Sequence, residues 1–429
     1  MKTVVWTDLD DSARADVLAR PEAQTDRGVT DSVLAIVNDV QLRGDAALKD
    51  YTERFDGVSL EALEVSQAAL EAAWGALPAS DKAVLEQAKA NIEAFHAPQR
   101  PEKYTVETMP GVVCRREPKA LRSAGMYVPG GTAPLVSTVL MLAVPAAMAG
   151  VRERVMVSPP GKDGQINAGV LAAAHLAGVT RVFCVGGAQA VAALAYGTES
   201  VPRCAKVFGP GNAYVAAAKA LVSAEASGPA VDLPAGPSEV MVVADGSADA
   251  RFVAADLLAQ AEHDVMAQVV ALVDSAALAE AVEVEVRAQI ETLSRKDIAR
   301  ASLANARVIV AGAEDFVGII EAYAPEHLIL QCAGADRITE EIASAGSVFI
   351  GPWTPESVGD YASGTNHTLP TGGAARSYSG VNLESFYTLM TVQELSRDGL
   401  ERLGPIVERM AEMEGLDAHG RAVAVRLER

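Results

Sequence analysis

The chain has 429 residues, half of them hydrophobic and about a fifth charged, which is a globular composition and argues against extensive disorder. Its length exceeds what one hydrophobic core usually organises, so two main domains are expected. The formal net charge of −20 and the lack of a Lys/Arg cluster argue against a nucleic-acid partner, and an anionic cofactor must be held by local features such as helix N-termini.

Residues 1–100 are predicted to be mainly helical, because apolar residues recur with heptad-like spacing through residues 31–51 and 60–95. Asp31 is the candidate N-cap of the first of these helices. The N-terminal sequence MKTVVWTDLDD reaches acidic residues too soon for a secretory signal.

The most apolar stretch, Val136–Ala149, contains Pro145 and is too short to span a bilayer. The cysteines form no CxxC pair and are scattered, which is typical of reduced thiols in the cytosol. They are Cys114, Cys184, Cys204 and Cys332. We therefore expect a cytoplasmic protein without a membrane partner.

Residues 128–245 contain two similar segments, Met148–Val157 and Leu176–Val185. In each segment a predicted helix ends at a glycine, Gly150 or Gly178, and a β-branched run follows, which is typical of parallel sheets with crossover helices. Two further predicted strands continue the alternation, at 206–208 and 239–243.

Residues 249–350 predict a second doubly wound unit. Its predicted elements are helices at 249–263, 276–293, 314–323 and 336–344 and strands at 268–273, 306–310, 327–331 and 347–350. Residues 351–382 are rich in Gly, Ser, Thr and Pro and predict a long functional loop. Residues 383–429 are predicted to be helices that dock on the body or on a neighbouring subunit.

Four of the six histidines stand beside other polar residues. Gln260 and His263 are three apart on a predicted helix, so an amide oxygen and an imidazole could meet one metal ion. A solvated helix end is the alternative interpretation.

Glu326 and His327 follow Pro325, which ends a helix, and stand at the entrance of a predicted strand. There an adjacent carboxylate and imidazole could share proton transfers, although an ordinary loop pair remains the alternative. Asp360 and His367 lie in the polar loop and could supply a carboxylate ligand and a substrate contact, unless that loop is merely a flexible surface segment.

Near the C-terminus, Glu414 and His419 flank a predicted turn at which Asp417 would cap a helix. Together, four residues offer nitrogen and oxygen ligands without thiolate, which suits Zn²⁺ in a site open to substrate. They are Gln260, His263, Asp360 and His419. Their spacing is too dispersed to establish the grouping by itself.

Two glycine-rich turns, 185–189 and 208–212, each follow a predicted strand and open a helix, so their N–H groups could bind an anion. Neither is a GxGxxG fingerprint, and a plain strand–helix turn is the alternative. A third such turn, Met126–Pro134, carries Tyr127, which could stack on a ring.

Several long motifs resemble the histidinol dehydrogenase family, in order and over nearly the whole chain. They are GMYVPGGTAPLVSTVLM, VGGAQAVAALAYGTESVP, FGPGN, VDLPAGPSE with the following AEH, YAPEHL, SGTNHTLPT and EGLDAH. The resemblance implies an α/β fold of two Rossmann-like doubly wound parallel-sheet domains, one inserted in the other, with small N- and C-terminal helical extensions. We expect an N-terminal extension (1–26), a main domain (27–127 plus 239–378), an inserted domain (128–238) and a C-terminal arm (379–429).

The resemblance also implies oxidation of L-histidinol to L-histidine through the aldehyde, with NAD and one Zn²⁺ per subunit. By position, Gln260, His263, Asp360 and His419 are the zinc ligands, His327 is the general base and Glu326 activates water. The residues at the NAD site are Tyr127, Gln189 and Asn212. The residues expected to contact substrate are Ser238, Gln260, His263, Glu326, His327, Asp360, His367, Glu414 and His419.

The resemblance further implies a homodimer in which the C-terminal arm of one subunit completes the site of the other. Three alternatives stay open from the residues: a family member acting on another small polar alcohol, a zinc hydrolase using Glu326, and an aldehyde dehydrogenase using Cys184. The presence of Glu414 and His419 favours histidinol over another alcohol.

Overall fold

The computed structural model describes residues 1–20, 27–130, 134–234 and 236–428. The strands are β1 (Lys2–Val5), β2 (Glu64–Val65), β3 (Tyr104–Met109), β4 (Val112–Ala120), β5 (Ser123–Tyr127), β6 (Glu153–Ser158), β7 (Arg181–Cys184), β8 (Lys206–Phe208), β9 (Ala230–Val231), β10 (Glu239–Ala244), β11 (Gln268–Val273), β12 (Arg307–Val310), β13 (His327–Gln331), β14 (Ser347–Ile350) and β15 (Tyr387–Leu395).

The helices cover both faces of the sheets. They are α1 (Asp11–Leu18), α2 (Arg27–Arg43), α3 (Asp45–Asp56), α4 (Gln67–Ala76), α5 (Ala79–His96), α6 (Val136–Ala149), α7 (Ala168–Leu176), α8 (Gly187–Tyr196), α9 (Ala213–Ala224), α10 (Ala250–Ala261), α11 (Ala276–Gln289), α12 (Lys296–Leu303), α13 (Phe316–Tyr323), α14 (Ala335–Glu341), α15 (Glu356–Tyr361), α16 (Arg397–Glu414) and α17 (Asp417–Ala424). None of the helices in the described ranges is long and apolar enough to cross a membrane.

One sheet, here called the catalytic sheet, has the strand order β1-β12-β11-β10-β13-β14, and all its pairings are parallel. Strand β10 is fully buried and its side chains alternate between two cores. Val240 and Val242 pack with α10 and α11 on one face, whereas Met241 and Val243 pack with α13 and α14 on the other. This period-two division places helices on both faces, as in a doubly wound fold.

A second sheet, here called the nucleotide sheet, has the order β2-β7-β6-β5-β8-β9 and is parallel except for the β2–β7 pair. Its two cores include side chains from α2 and α5, such as Val37 and Ile92. Much of segment 27–127 therefore packs on the sheet of segment 128–238, although the domain boundaries themselves stay a prediction. The predicted fold class, two parallel α/β units, is confirmed.

A third sheet was missed by the sequence analysis. Strands β15, β4 and β3 form an antiparallel sheet, so the prediction that residues 383–429 are all helical is wrong at β15. Strands β3 and β15 are largely exposed and β4 is only partly buried, so their sequences lack the long apolar runs that identified the parallel strands.

Three local predictions are also corrected. Asp31 lies inside α2 rather than at its N-cap, because the helix already begins at Arg27. Asp417 is the first residue of α17, and Leu416 occupies the N-cap position. The predicted loop 351–382 contains a helix, α15, which supplies residues to the site described below. The glycines predicted to end helices, Gly150 and Gly178, have positive φ as expected.

Asp256 is a buried acid in α10 whose only described partner is the Gln331 side chain, at 2.7 Å. Burial raises the pKa of this carboxyl to about 7, although the Gln331 hydrogen bond lowers it. In the unfolded chain an aspartate has a pKa near 4. Between about pH 4 and pH 7 the unfolded chain loses this proton while the folded protein keeps it, so the free energy of unfolding falls as the pH rises. The replacement Asp256→Asn removes that loss and can still accept the Gln331 hydrogen bond.

We therefore predict that Asp256→Asn raises Tm by about 1–4 °C at pH 8 and gives no gain at pH 4, measured by thermal unfolding. Asp249→Asn is the control on the same helix, because the hydrogen bonds from Arg251 lower the pKa of Asp249 to about 2 and its loss brings no gain at pH 8. An equal Tm change for Asp256→Asn at both pH values would contradict the prediction.

Candidate active site

The predicted catalytic pair lies where β10 and β13 enter the catalytic sheet side by side. The register pairs Val240 with His327, so Glu239 stands next to both members of the pair. The Glu239 N–H donates to Glu326 Oε2 at 2.8 Å, and His327 Nδ1 lies 3.1 Å from the Glu239 carbonyl oxygen. A carbonyl can only accept, so Nδ1 carries a proton, and Nε2 is the ring nitrogen that can gain or lose one.

Glycine is required at one position behind this pair. A Cβ on Gly346 would lie 2.5 Å from the Glu326 carbonyl oxygen, closer than side-chain carbons approach. That close approach lets Ser347 N–H donate to the same carbonyl at 2.9 Å and Gly346 N–H donate to the Pro325 carbonyl. The backbone of Glu326 is therefore held from the β14 side, and its side chain is held by the Glu239 N–H of β10.

Three carboxylates surround the buried His327 ring. Nδ1 lies 3.6 Å from Glu326 and 4.0 Å from Glu356, and Nε2 lies 3.5 Å from Asp360. Burial lowers the pKa of His327, but these carboxylates outweigh burial and raise it well above its usual value. Burial has the opposite effect on a carboxyl: it raises the pKa of Glu326 to about 8, so this carboxyl can exchange a proton near neutral pH.

Glu356 is a site residue that the sequence analysis did not single out. It begins α15 and lies one helical turn before Asp360, so the two side chains share a face of the helix. Its carboxyl is fully buried, and burial raises its pKa to about 8. The spacing of Glu356 and Asp360 was the available signal, but it is visible only once residues 356–361 are known to be helical.

His263, two residues after the end of α10, meets this helix, and Gln260 lies in the last turn of α10. Ligand atoms of His263, Glu356 and Asp360 all lie within 4.8 Å of one another, which is compatible with one metal ion. Both amide atoms of Gln260 are buried and have no hydrogen-bond partner among the described residues. A buried amide without partners costs free energy, so its oxygen fits a metal ligand well.

His367 connects this site to the nucleotide sheet. Its Nδ1 donates to the Asp360 carbonyl at 2.9 Å, and its Nε2 lies 3.2 Å from the Thr138 hydroxyl on α6. Ser238, which precedes Glu239, is partly buried, and its carbonyl accepts from the Gln268 N–H. Both residues therefore lie next to groups of the site.

Glu414 and His419 are not brought to the site within this chain. Both are exposed on the C-terminal helices, and His419 is absent from the cluster that could hold a metal in the described part of the chain. The same helices expose large apolar side chains, among them Met410 and Met413.

The three residues predicted at the NAD site line one cavity of about 730 Å³ at the carboxyl ends of β5, β7 and β8. Tyr127 is buried and its hydroxyl accepts from the Gly187 N–H at 3.2 Å. Gln189 is buried with no described partner for its Oε1, and Asn212 caps α9 by accepting from Tyr214 and Val215.

The two predicted phosphate cradles each open a helix at this cavity, α8 and α9, as the sequence indicated. Gly209 has φ of +116°, and a Cβ there would lie 2.1 Å from the Tyr127 carbonyl oxygen, so only glycine lets the second cradle approach β5. The turn Met126–Pro134 lies partly outside the described residues, at 131–133.

Cys184 does not fit the thiol-based alternative. It is buried in the nucleotide sheet, and burial raises the pKa of its thiol to about 12. A nucleophilic cysteine requires a lowered pKa and access to substrate.

Comparison with known proteins defines the class as a dehydrogenase. Residues 18–427 match the protein family described as histidinol dehydrogenase. Two proteins of that name, from Xanthomonas euvesicatoria pv. vesicatoria and Xylella fastidiosa, are each 51% identical to this chain over 428 residues, covering 100% of it and 99% of the relative. The crystal structure of histidinol dehydrogenase from Elizabethkingia anophelis is 43% identical, covers 100% of this chain and 98% of that chain, and superposes with a TM-score of 0.94.

The chain is thus an enzyme of the NAD-dependent oxidoreductases. More particularly, it belongs to the histidinol dehydrogenase family, which confirms the resemblance found in the sequence.

The contact at Gly346 gives a test of the catalytic-pair geometry. We predict that Gly346→Ala lowers kcat at least about tenfold, because the new Cβ must displace the Glu326 backbone and misplacement by about 1 Å can cost far more. Gly318→Ala in α13 is the matched control, since its Cβ would meet nothing within 4 Å and should leave kcat unchanged. Equal rates for both variants would contradict the arrangement.

Proposed function

We propose that this chain oxidises L-histidinol to L-histidine in two NAD-linked steps through the aldehyde, as the last steps of histidine biosynthesis. The observation that carries this proposal is the buried Glu326–His327 pair, held by the backbone of Glu239 and facing Asp360. The pair offers two separate proton acceptors, and the two oxidations need one for an alcohol and one for a water.

In the first step His327 acts as the general base. Its Nδ1–H stays hydrogen-bonded to the Glu239 carbonyl, so Nε2 takes the proton from the substrate hydroxyl as the hydride leaves the carbinol carbon. NAD supplies the hydride acceptor when it is bound. The carboxylates of Glu356 and Asp360 stabilise the imidazolium that results.

In the second step Glu326 activates water. Its carboxyl, with a pKa raised to about 8 by burial, takes a proton as the water oxygen adds to the aldehyde carbon. The His327 imidazolium gives its proton to the aldehyde oxygen, which completes the hydrate and leaves Nε2 free again. The hydrate is an alcohol, so His327 repeats its role as base during the second hydride transfer. The Glu239 N–H keeps one oxygen of Glu326 fixed throughout.

Zn²⁺ fits the residues at the end of α10 and on α15. Gln260, His263 and Asp360 would hold it together with His419 of the partner subunit, and Glu356 is a further oxygen donor within the cluster. Zn²⁺ held there would supply a positive centre that attracts the polar groups of the substrate. Ser238, His367 and Glu414 are the proposed remaining substrate contacts.

NAD is proposed to occupy the cavity lined by Tyr127, Gln189 and Asn212. The first turns of α8 and α9 line this cavity, and the positive ends of these helices favour a pyrophosphate, which offsets the acidic charge of the chain. Gln189 lies in the first turn of α8.

A homodimer is proposed because Glu414 and His419 are exposed in a single chain, beside apolar side chains on α16 that suit a protein interface. A cytoplasmic location is proposed from the four unpaired cysteines, which a reducing compartment maintains. Oxidation of another small polar alcohol is the alternative activity, disfavoured by the presence of Glu414 and His419.

We predict about two NADH per L-histidinol consumed, measured at 340 nm, and about one Zn²⁺ per subunit by metal analysis. Chelation should abolish activity and Zn²⁺ should restore it. The variants Gln260→Ala and His263→Ala should lose bound zinc, whereas Gln331→Ala, a buried amide outside the metal cluster, should keep it. A zinc-loaded protein that forms no NADH from histidinol but does so from another polar alcohol would favour the alternative activity.

A shared site predicts complementation between two inactive variants. A mixture of His327→Gln and His419→Ala subunits, dissociated and reassociated, should recover about one quarter of the wild-type activity, because each mixed dimer has one intact site. Neither variant alone should recover on the same treatment. No recovery, with mixed dimers demonstrated by mass spectrometry, would show that His419 acts within its own chain.

A further inference from the structure

We propose that Arg20 is a positioning residue for the oxidation: it fixes Glu239 and the end of α13, and through them the orientation of Glu326 and His327. This inference rests on the catalytic roles proposed above. Arg20 follows α1, far along the chain from every residue of the site, and none of the sequence motifs includes it.

Arg20 makes a two-pronged ion pair with Glu239. Its Nε and one terminal nitrogen donate to the two carboxylate oxygens at 2.6 and 2.7 Å. The Glu239 side chain is 2% exposed and the Arg20 side chain 21% exposed, so the pair is largely shielded from water. Such a forked pair fixes direction as well as distance, because the guanidinium plane matches the carboxylate plane.

The same guanidinium holds the end of helix α13. It donates to the Tyr323 carbonyl at 2.8 Å and to the Ala324 carbonyl at 3.4 Å, and it lies over the Tyr323 ring at 4.1 Å from the centroid. Ala324 has φ of +53°, which is unfavourable for a residue with a side chain. The Arg20 contacts therefore stabilise the turn from which Pro325, Glu326 and His327 continue.

Glu239 is held from a third side. The Tyr323 hydroxyl donates to Gln268 Oε1 at 2.9 Å and lies 3.4 Å from Glu239 Oε2. Gln268 pairs with Glu239 in the neighbouring strand β11. With its side chain fixed by these partners, Glu239 presents its N–H to Glu326 and its carbonyl to His327 in one orientation.

The consequence is that one cation orders both reacting groups without touching substrate. Loss of Arg20 leaves the Glu239 carboxylate buried without its counter-charge, so the start of β10 must shift. That shift moves the amide and carbonyl that hold Glu326 and His327. The rate of reaction should then fall more than substrate affinity.

The chain contains a matched control pair in the other sheet. Arg181 also binds a glutamate, Glu64, with two bonds of 2.7 Å, donates to a backbone carbonyl at Ser200, and lies over a ring, Phe183. It stands at the amino end of β7, opposite the end that faces the nucleotide cavity. Its removal breaks an ion pair of the same forked geometry, although a more exposed one, and leaves the Glu239 backbone in place.

The test measures kcat and KM for histidinol and NAD in Arg20→Ala, Arg20→Lys, Arg181→Ala and His327→Gln, each with its Tm and zinc content. We expect Arg20→Ala to lower kcat about 10- to 100-fold while both KM values change less than about threefold. Arg20→Lys should recover part of kcat, because it restores the charge without the fork. Arg181→Ala should keep kcat within about twofold of wild type.

A double variant separates positioning from general stability. If Arg20 acts through His327, adding Arg20→Ala to His327→Gln should cost less than about threefold in the residual rate, whereas a purely structural role would cost as much as in wild type. A kcat of Arg20→Ala within twofold of Arg181→Ala overturns the inference. If Arg20→Ala does not fold, Arg20→Lys decides by the same comparison. Wild-type kcat in His327→Gln would instead overturn the proposed catalytic roles, and the inference with them.

Discussion

The site depends on the two backbone hydrogen bonds of Glu239. One residue at the start of β10 gives its N–H to the Glu326 carboxylate and its carbonyl to the His327 ring. The first bond selects the oxygen of Glu326 that stays fixed, and the second selects the tautomer of His327. Because β10 and β13 are parallel neighbours, both bonds follow from the sheet register rather than from a flexible loop. In the proposed mechanism, the backbone of the catalytic sheet therefore orients both reacting groups directly.

The two sheets present opposite ends to their ligands. In the nucleotide sheet the cavity lies at the carboxyl ends of the strands, where the strand order reverses between β5 and its neighbours, as is usual for open α/β sheets. In the catalytic sheet, Glu239 and His327 stand at the amino ends of β10 and β13. The loop 351–382 makes this possible, because it leaves β14 and returns α15 to the His327 ring. His367, bonded to both Asp360 and Thr138, then ties that loop to α6 of the nucleotide sheet.

The sequence was sufficient to predict the strands of the parallel sheets. It was not sufficient to predict which distant residues come together at the site. Buried parallel strands are continuous apolar runs, so β10, β11 and β13 were predicted within a residue or two. The antiparallel strands β4 and β15 are half exposed and carry no such signal. Gln260 and His263 could be paired from helical spacing, but their approach to Asp360 is a tertiary contact that no local pattern encodes. Glu356 was missed because its helix lies in a segment whose glycines and serines predict a loop.

Charge balance explains why these dispersed residues belong together. Three carboxylates, of Glu326, Glu356 and Asp360, converge on one buried imidazole, so full ionisation of all three is opposed by mutual repulsion and by loss of water. Proton uptake by a carboxylate relieves this repulsion and loss of water, and the pKa values of Glu326 and Glu356 are accordingly raised to about 8. The proposed divalent cation, held by His263, Gln260 and the α15 carboxylates, would relieve this repulsion differently. It would compensate the charge on Glu356 and Asp360 and leave Glu326 free to accept a proton. Binding a metal ion would therefore neutralise the excess negative charge of the cluster. The same neutralisation would keep Glu326 available as a base.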